Sequence, residues 1–212
     1  MPKAGEGAVQ GLEGRTSPGT PLPVGTPLTI RLIPFADAGG TGSRYKVWLP
    51  LPRDLYSGNL LMAGQESRSR SGDMSGSTVD EDFQTAVNTR DGKTADEDWF
   101  AVQLQEPVTM KWVLFAHGKT FHDGGWFDAT AGKPRVQVQR TKDGAWETVA
   151  EFKDYPATTA KNPEEMEGSE SVICTLADPV TVWAIRVVGK PACGDNPQQA
   201  FSSCAELQAY SH

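Results

Sequence analysis

From residue 99 to the end, the chain is a succession of short apolar–polar alternations punctuated by Gly, Pro and Asp. WFAVQL alternates, TMKWVLFAH is apolar on both faces, RVQVQR alternates again, and TKDG leads into AWETVAEF through an Asp143-Gly144 turn. SVICTL, VTVWAIRVV and AELQAY complete the set. Period-two patterns of this length are strands, and a run apolar on both faces belongs at the centre of a sheet. No stretch carries the spacing of a long amphipathic helix. Short strands at regular intervals with turn residues between them predict an all-β fold, an antiparallel β-sandwich or jelly roll.

The 212 residues suffice for one large domain or one domain with a small appendage. Residues 1–26 are rich in Gly, Pro and Thr without periodicity, and read as a poorly ordered linker or an added tail. Residues 27–56 hold two alternating runs, PLTIRLIPF and RYKVWLPLP, around the turn cluster ADAGGTGS, and predict a β-hairpin extension. Residues 57–212 form the expected sandwich.

The net charge of -7 with no Lys/Arg stripe excludes the clustered positive charge that nucleic acid requires. No apolar run is long enough to span a bilayer. No charged-then-apolar leader opens the chain, so an export signal is either absent or removed. Of three cysteines, Cys174 sits in a strand pattern and reads as a buried thiol. Cys193 and Cys204 bracket CGDNPQQAFSSC, and are either a loop-closing disulfide or two free thiols.

Two stretches carry candidate chemistry. STVDEDFQTAV, residues 77–87, places Asp80 and Asp82 two apart with Thr85 three further on. Calcium takes six to eight oxygen ligands and accepts mixed carboxylate and carbonyl donors, so one tight turn of this kind can supply several of them. The alternative is an ordinary acidic surface loop. HGKTFHDGGWFDATAGKP, residues 117–134, is long for a hairpin loop and carries His117, Phe121, His122, Trp126 and Phe127 among glycines and aspartates. Sugars stack their C–H faces on aromatic rings while polar side chains bond their hydroxyls. Phe201 is a second stacking candidate. The plainer reading folds Trp126 and Phe127 back as a small loop core. Trp99, Trp112, Trp146 and Trp183 lie in strand patterns and are expected in the core; Arg68 and Arg70 either reach a ligand or, by default, are solvated. Asp123 and Asp128 share the aromatic loop and are the carboxylate pair considered for glycoside hydrolysis. Nucleophile-elbow, zinc-helix and phosphate-loop motifs do not occur.

The ordered set VDEDFQT, DWFAVQLQEPVTMKWVLF, KPRVQVQRTKDGAWETVAEF, TVWAIRVVG and SCAELQAY resembles the discoidin, or coagulation-factor C-type, domain. This is the galactose-binding-like jelly roll shared with family 32 carbohydrate-binding modules. The resemblance spans roughly residues 62–210. It implies a structural calcium held by the Asp80 side chain, the Asp82 carbonyl, the Thr85 hydroxyl and carbonyl, the Ser77 carbonyl, the Ala205 carbonyl and the Glu206 carboxylate. Glu81 stands where that family usually has Gly, the residue with the most permissive backbone, and this departure bears on the site. Residues 26–52 also resemble a late segment of glycoside hydrolase family 127-type proteins, which implies the tail of a larger enzyme.

The expectation is a monomeric, secreted (extracellular or periplasmic) calcium-stabilised module that binds oligo- or polysaccharide, with a parent catalytic domain as a possible partner. The alternatives are a structural or protein-interaction domain packing on a glycoside hydrolase, and a small hydrolase or lyase.

Overall fold

The computed structural model describes residues 58–164, 166 and 168–211; the expected tail and hairpin extension lie outside the described residues. Seven strands run β1 (Gln65–Arg68), β2 (Val87–Asn88), β3 (Asp98–His117), β4 (Arg135–Gln139), β5 (Glu147–Glu151), β6 (Ser171–Gly189) and β7 (Ser203–Tyr210). The pairings between these described strands are all antiparallel. The helical content described is a 3₁₀ turn at Ala129–Ala131, capped by Asp128.

Two strands are far longer than the sequence pattern suggests. β3 joins the WFAVQL and TMKWVLFAH runs, and β6 joins SVICTL to VTVWAIRVV. Each carries a register break that contains a proline. Pro107 lies between Gln103 and Val108 in β3, and Pro179 lies opposite the Met110/Trp112 break in β6. Proline cannot donate to the ladder, so it marks where a strand bends or bulges. The first half of β3 pairs β1 and the second half of β6, which continues to β4 and β5. The second half of β3 pairs β7 and the first half of β6, and β2 extends beyond β7. The two layers of the sandwich are thus halves of the same two strands.

The core lies between these layers. Phe100 and Phe115 come from opposite halves of β3, and Phe127 packs 6.4 Å and 5.7 Å from their ring centroids. Phe152 and Tyr155 close the same cluster. Trp126 is 1% exposed and donates its indole N–H to the Thr159 carbonyl at 2.8 Å. Burying an indole requires such a partner for its one polar atom.

The tryptophans are therefore distributed the other way round from the sequence expectation. Trp99, Trp112, Trp146 and Trp183 are only partly buried. In β3 the neighbours Asp98 and Phe100 point inward, which turns Trp99 outward; Trp183 is turned out by Val182 and Ala184. Trp112 stacks on Tyr210 at 4.1 Å. The alternation was legible, but which parity faced the core was not.

The Asp143-Gly144 turn joins β4 to β5 as expected, with Asp143 at φ 58°. Cys174, Cys193 and Cys204 are all free thiols, so the disulfide alternative is corrected. Cys204 is fixed in β7 opposite Val87 and His117, while the Cys193 backbone is pinned to the Ala160 carbonyl at 2.9 Å.

Candidate functional site

The acidic loop folds onto β7. Thr78 offers its carbonyl to the Leu207 N–H at 2.6 Å, and Glu66 of β1 accepts from the Thr78 N–H, the Thr78 hydroxyl and the Ser77 hydroxyl. Asp80 accepts from the Asp82 N–H at 3.0 Å, and the Asp82 carbonyl accepts from the Thr85 N–H and hydroxyl at 3.2 and 3.1 Å. Glu81 takes φ 63°, the left-handed conformation at the position where the family pattern has Gly. The substitution is accommodated with the turn intact, at the modest cost a non-glycine side chain carries there.

Glu206 is fully buried in β7. Its Oε2 accepts from Gln208 at 3.1 Å, while Oε1 has no hydrogen-bond partner. Burial first, and then the facing Asp80 carboxylate, raise its carboxyl to about 8; Gln208 and the Glu81 backbone pull the other way. A buried carboxylate aimed at a second carboxylate, with one oxygen orphaned, suits a hard divalent cation. Ser77 is turned toward Glu66 through its hydroxyl, and Ala205 packs with Ala86 and Ala116. Among the described residues, no group of three His, Cys, Asp or Glu side chains converges, so a cation here would rely on carbonyl and hydroxyl oxygens for the rest of its shell.

At the loop end of the sandwich, three loops meet: residues 89–97, 118–134 and 190–202. Their foundation is Asp98, a buried carboxylate that accepts from Arg70 Nε and Nη2 at 3.1 and 2.9 Å, from Ser69 Oγ at 2.9 Å, from Ser202 N and Oγ at 3.2 Å, and from the Thr89 hydroxyl. Arg70 also reaches Asp91, the Lys93 carbonyl and the Ala200 carbonyl. Arg68 donates to the Met74 and Asn88 carbonyls. Both arginines are thus committed to the fold, not to solvent as expected.

Above this foundation sits a second layer. Arg90 Nη2 donates to Asp123 at 2.8 Å, and Gln199 Nε2 donates to the same carboxylate oxygen at 2.6 Å. The Arg90 guanidinium lies 5.7 Å over the Phe201 ring. Phe201 in turn packs 5.8 Å from Phe121. His122 Nδ1 meets Asp195 Oδ1 at 3.0 Å, and the Asp195 N–H bonds the His122 carbonyl at 2.9 Å. The Asp195 carboxylate, by hydrogen bonding and then by charge, raises the His122 imidazole above its ordinary value. His122 and Asp195 are exposed, Arg90 is partly exposed, and Phe121 is half-buried.

The six residues expected to contact a sugar therefore divide. His122 and Phe121 reach the surface. Trp126, Phe127 and Phe201 are each 1% exposed and cannot present a ring face, because they fill space between the layers and beneath the loops. His117 is also buried: its Nε2 meets the Thr120 hydroxyl at 3.1 Å, and burial lowers its imidazole to about 4. The pair considered for hydrolysis is likewise occupied. Asp123 holds Arg90 and Gln199, while Asp128 caps the 3₁₀ turn and lies 3.6 Å from Lys190. Arg90, Gln199 and Asp195 were not singled out from sequence; Gln199 and Asp195 sit in the segment between Cys193 and Cys204 that was read for a disulfide.

No protein-family model matches the sequence, and no curated protein matches it. Solved structures do match by fold. The family 32 carbohydrate-binding module of Clostridium perfringens NanJ, solved in complex with galactose, superposes with a TM-score of 0.51 at 17% identity, over 72% of this chain and 98% of that one. A C. perfringens module solved with GalNAc-β-1,3-galactose gives 0.51 at 10% identity, over 72% and 99%. The third family 32 module of a C. perfringens family 31 glycoside hydrolase gives 0.54 at 12% identity, over 73% and 95%. The described strands span nearly the full length of those modules, and the chain has the galactose-binding-like β-sandwich fold of family 32 carbohydrate-binding modules.

Proposed function

We propose that the chain is a non-catalytic carbohydrate-binding module of a secreted polysaccharide-degrading system, and that it binds sugar at the loop end. The observation that carries this is the surface layer of Phe121, His122, Asp195 and Arg90, seated on the Asp123–Gln199 pair and on the Asp98 node. An exposed imidazole–carboxylate pair offers both donor and acceptor to sugar hydroxyls, and a half-exposed ring beside it offers a C–H stacking face. The hydrogen bonds beneath hold these groups in place before a ligand arrives, which lowers the ordering cost of binding. The neighbouring folds being sugar-binding modules supports the same reading.

The proposal includes a structural calcium. Asp80 and Glu206 would supply carboxylates, Thr85 its hydroxyl and carbonyl, and Ser77, Asp82 and Ala205 their carbonyls. The ion would neutralise the facing Asp80 and Glu206 and tie the acidic loop to β7.

Isothermal titration against galactose, N-acetylgalactosamine and their β-linked oligosaccharides tests the site. The double variant Phe121→Ala/His122→Ala should weaken binding at least about tenfold, with the melting temperature nearly unchanged. Silence of the wild type across that panel would remove the sugar reading and favour a domain that packs on a protein partner.

A further inference from the structure

The outward face of the β1–β3–β6–β4–β5 layer carries a second arrangement, far in kind from the loop end. Ile185 and Val187 point into the core, so Arg186 of β6 points out. Its guanidinium carbon lies 4.4 Å from the Trp146 ring centroid and 5.7 Å from that of Trp99. Its Nε donates to Gln137 Oε1 of β4 at 2.8 Å, and Gln137 Nε2 donates onward to the Thr148 hydroxyl of β5 at 3.0 Å. Both indoles thus lie against the guanidinium, and from it a hydrogen-bonded row of amide and hydroxyl runs across β4 to β5.

Arg186 is unusual among the described arginines. Arg68 gives its terminal nitrogen to backbone carbonyls, and Arg70, Arg90, Arg135 and Arg140 each meet a carboxylate. Neither terminal nitrogen of Arg186 has a described acceptor. Glu97, the acid whose charge acts on it, is already bonded to Arg135. In a chain of net charge -7, a half-buried guanidinium with its bidentate edge unclaimed stands out. Two rings and Gln137 fix its plane, so the fork is set for a planar anion.

We infer that this sheet face is a second ligand site, which takes a carboxylate-bearing sugar unit of a uronate-containing glycan. The Arg186 fork would grip the carboxylate, the indoles would flank the C–H face of the pyranose, and Gln137 and Thr148 would meet its hydroxyls. An acidic peptide shares the carboxylate but not the other features. It has no ring to lie along the indoles, and this row offers amide and hydroxyl groups in place of an apolar side-chain pocket.

Trigalacturonate and neutral galactotriose, titrated calorimetrically against the folded protein, test the inference. Trigalacturonate should bind, more weakly at high salt. Arg186→Gln, which keeps a partner for Gln137, should weaken it at least about tenfold, and Arg186→Lys, which keeps charge without the fork, by several-fold. Phe121→Ala/His122→Ala should leave trigalacturonate binding intact, and Arg186→Gln should leave any neutral-sugar binding intact, so the two sites stand or fall separately. No binding of trigalacturonate by wild type, wild-type affinity in folded Arg186→Gln, or equal loss in the loop-end variant would overturn it. Equal affinity for a hexaglutamate peptide, with the same dependence on Arg186, would overturn the sugar assignment.

Discussion

Phe100 and Phe115 lie on one strand, and their ring centroids are 6.3 Å apart. At about 3.4 Å per residue, a straight strand would separate them by about 50 Å. β3 must therefore double over the core, with the bend at the register breaks around Pro107. The inner layer this creates is filled from the side by loop residues, chiefly Trp126 and Phe127.

Trp126 thus belongs to stability. Trp126→Ala should cost about 3–5 kcal/mol, from lost burial, a cavity and an orphaned Thr159 carbonyl. Chemical denaturation with the m-value held constant checks this. Sugar affinity per folded molecule should be unchanged; a variant as stable as wild type would put the indole outside the core.

Glu206 makes stability depend on pH in a direction opposite to that of most carboxylates. Its folded value, about 8, lies above its unfolded one, so the native state holds the proton more tightly. In chelator, the contribution is complete below about pH 4.5 and is lost as pH rises through about 8, on the order of a few kcal/mol. Calcium should flatten that decline by taking the proton's place, and Glu206→Gln should flatten it without calcium. Thermal melts from pH 5 to 9, with calcium and with chelator, read this directly. A chelated protein whose melting temperature does not fall over this range would remove the buried-carboxylate account.

His117 gives the complementary acid limb. Burial depresses its imidazole to about 4 from an ordinary value near 6.5, so the unfolded chain takes up the proton first. Its contribution is present above about pH 6.5 and is lost as pH falls through about 4. His117→Gln should make stability less sensitive to acid over that interval, measured by urea midpoints at pH 7 and pH 4.5. An unchanged difference between the two midpoints would place the titration elsewhere.

Much of this was legible in the chain. Alternation gave the strands from β3 onward and Asp143-Gly144 its turn, while the meeting of the Asp80–Thr85 loop with Glu206 was implied only by the family resemblance. Three things were not legible. The prolines at 107 and 179 read as strand ends, because a break in pairing and a bend within one strand leave the same local signal. The parity of Trp99 and Trp183 depends on which layer covers them, which no local pattern records. The Asp98 node draws on Arg70, Thr89 and Ser202, and residues that far apart in sequence meet only after the layers close. The site residues Arg90, Gln199 and Asp195 escaped notice for the same reason.

The shared strands also bear on how the domain is assembled. Leu60 and Ala209 are hydrogen-bonded at 2.9 Å, and Asn59 Oδ1 accepts from the Ala209 N–H at 3.1 Å, so the first and last described segments are neighbours. No layer can be completed from a contiguous stretch of chain, since each needs half of β3 and half of β6. A fold dominated by such distant pairings closes late and slowly, and it offers no half-domain that would persist alone. Loss of either layer should take the other with it in one cooperative transition.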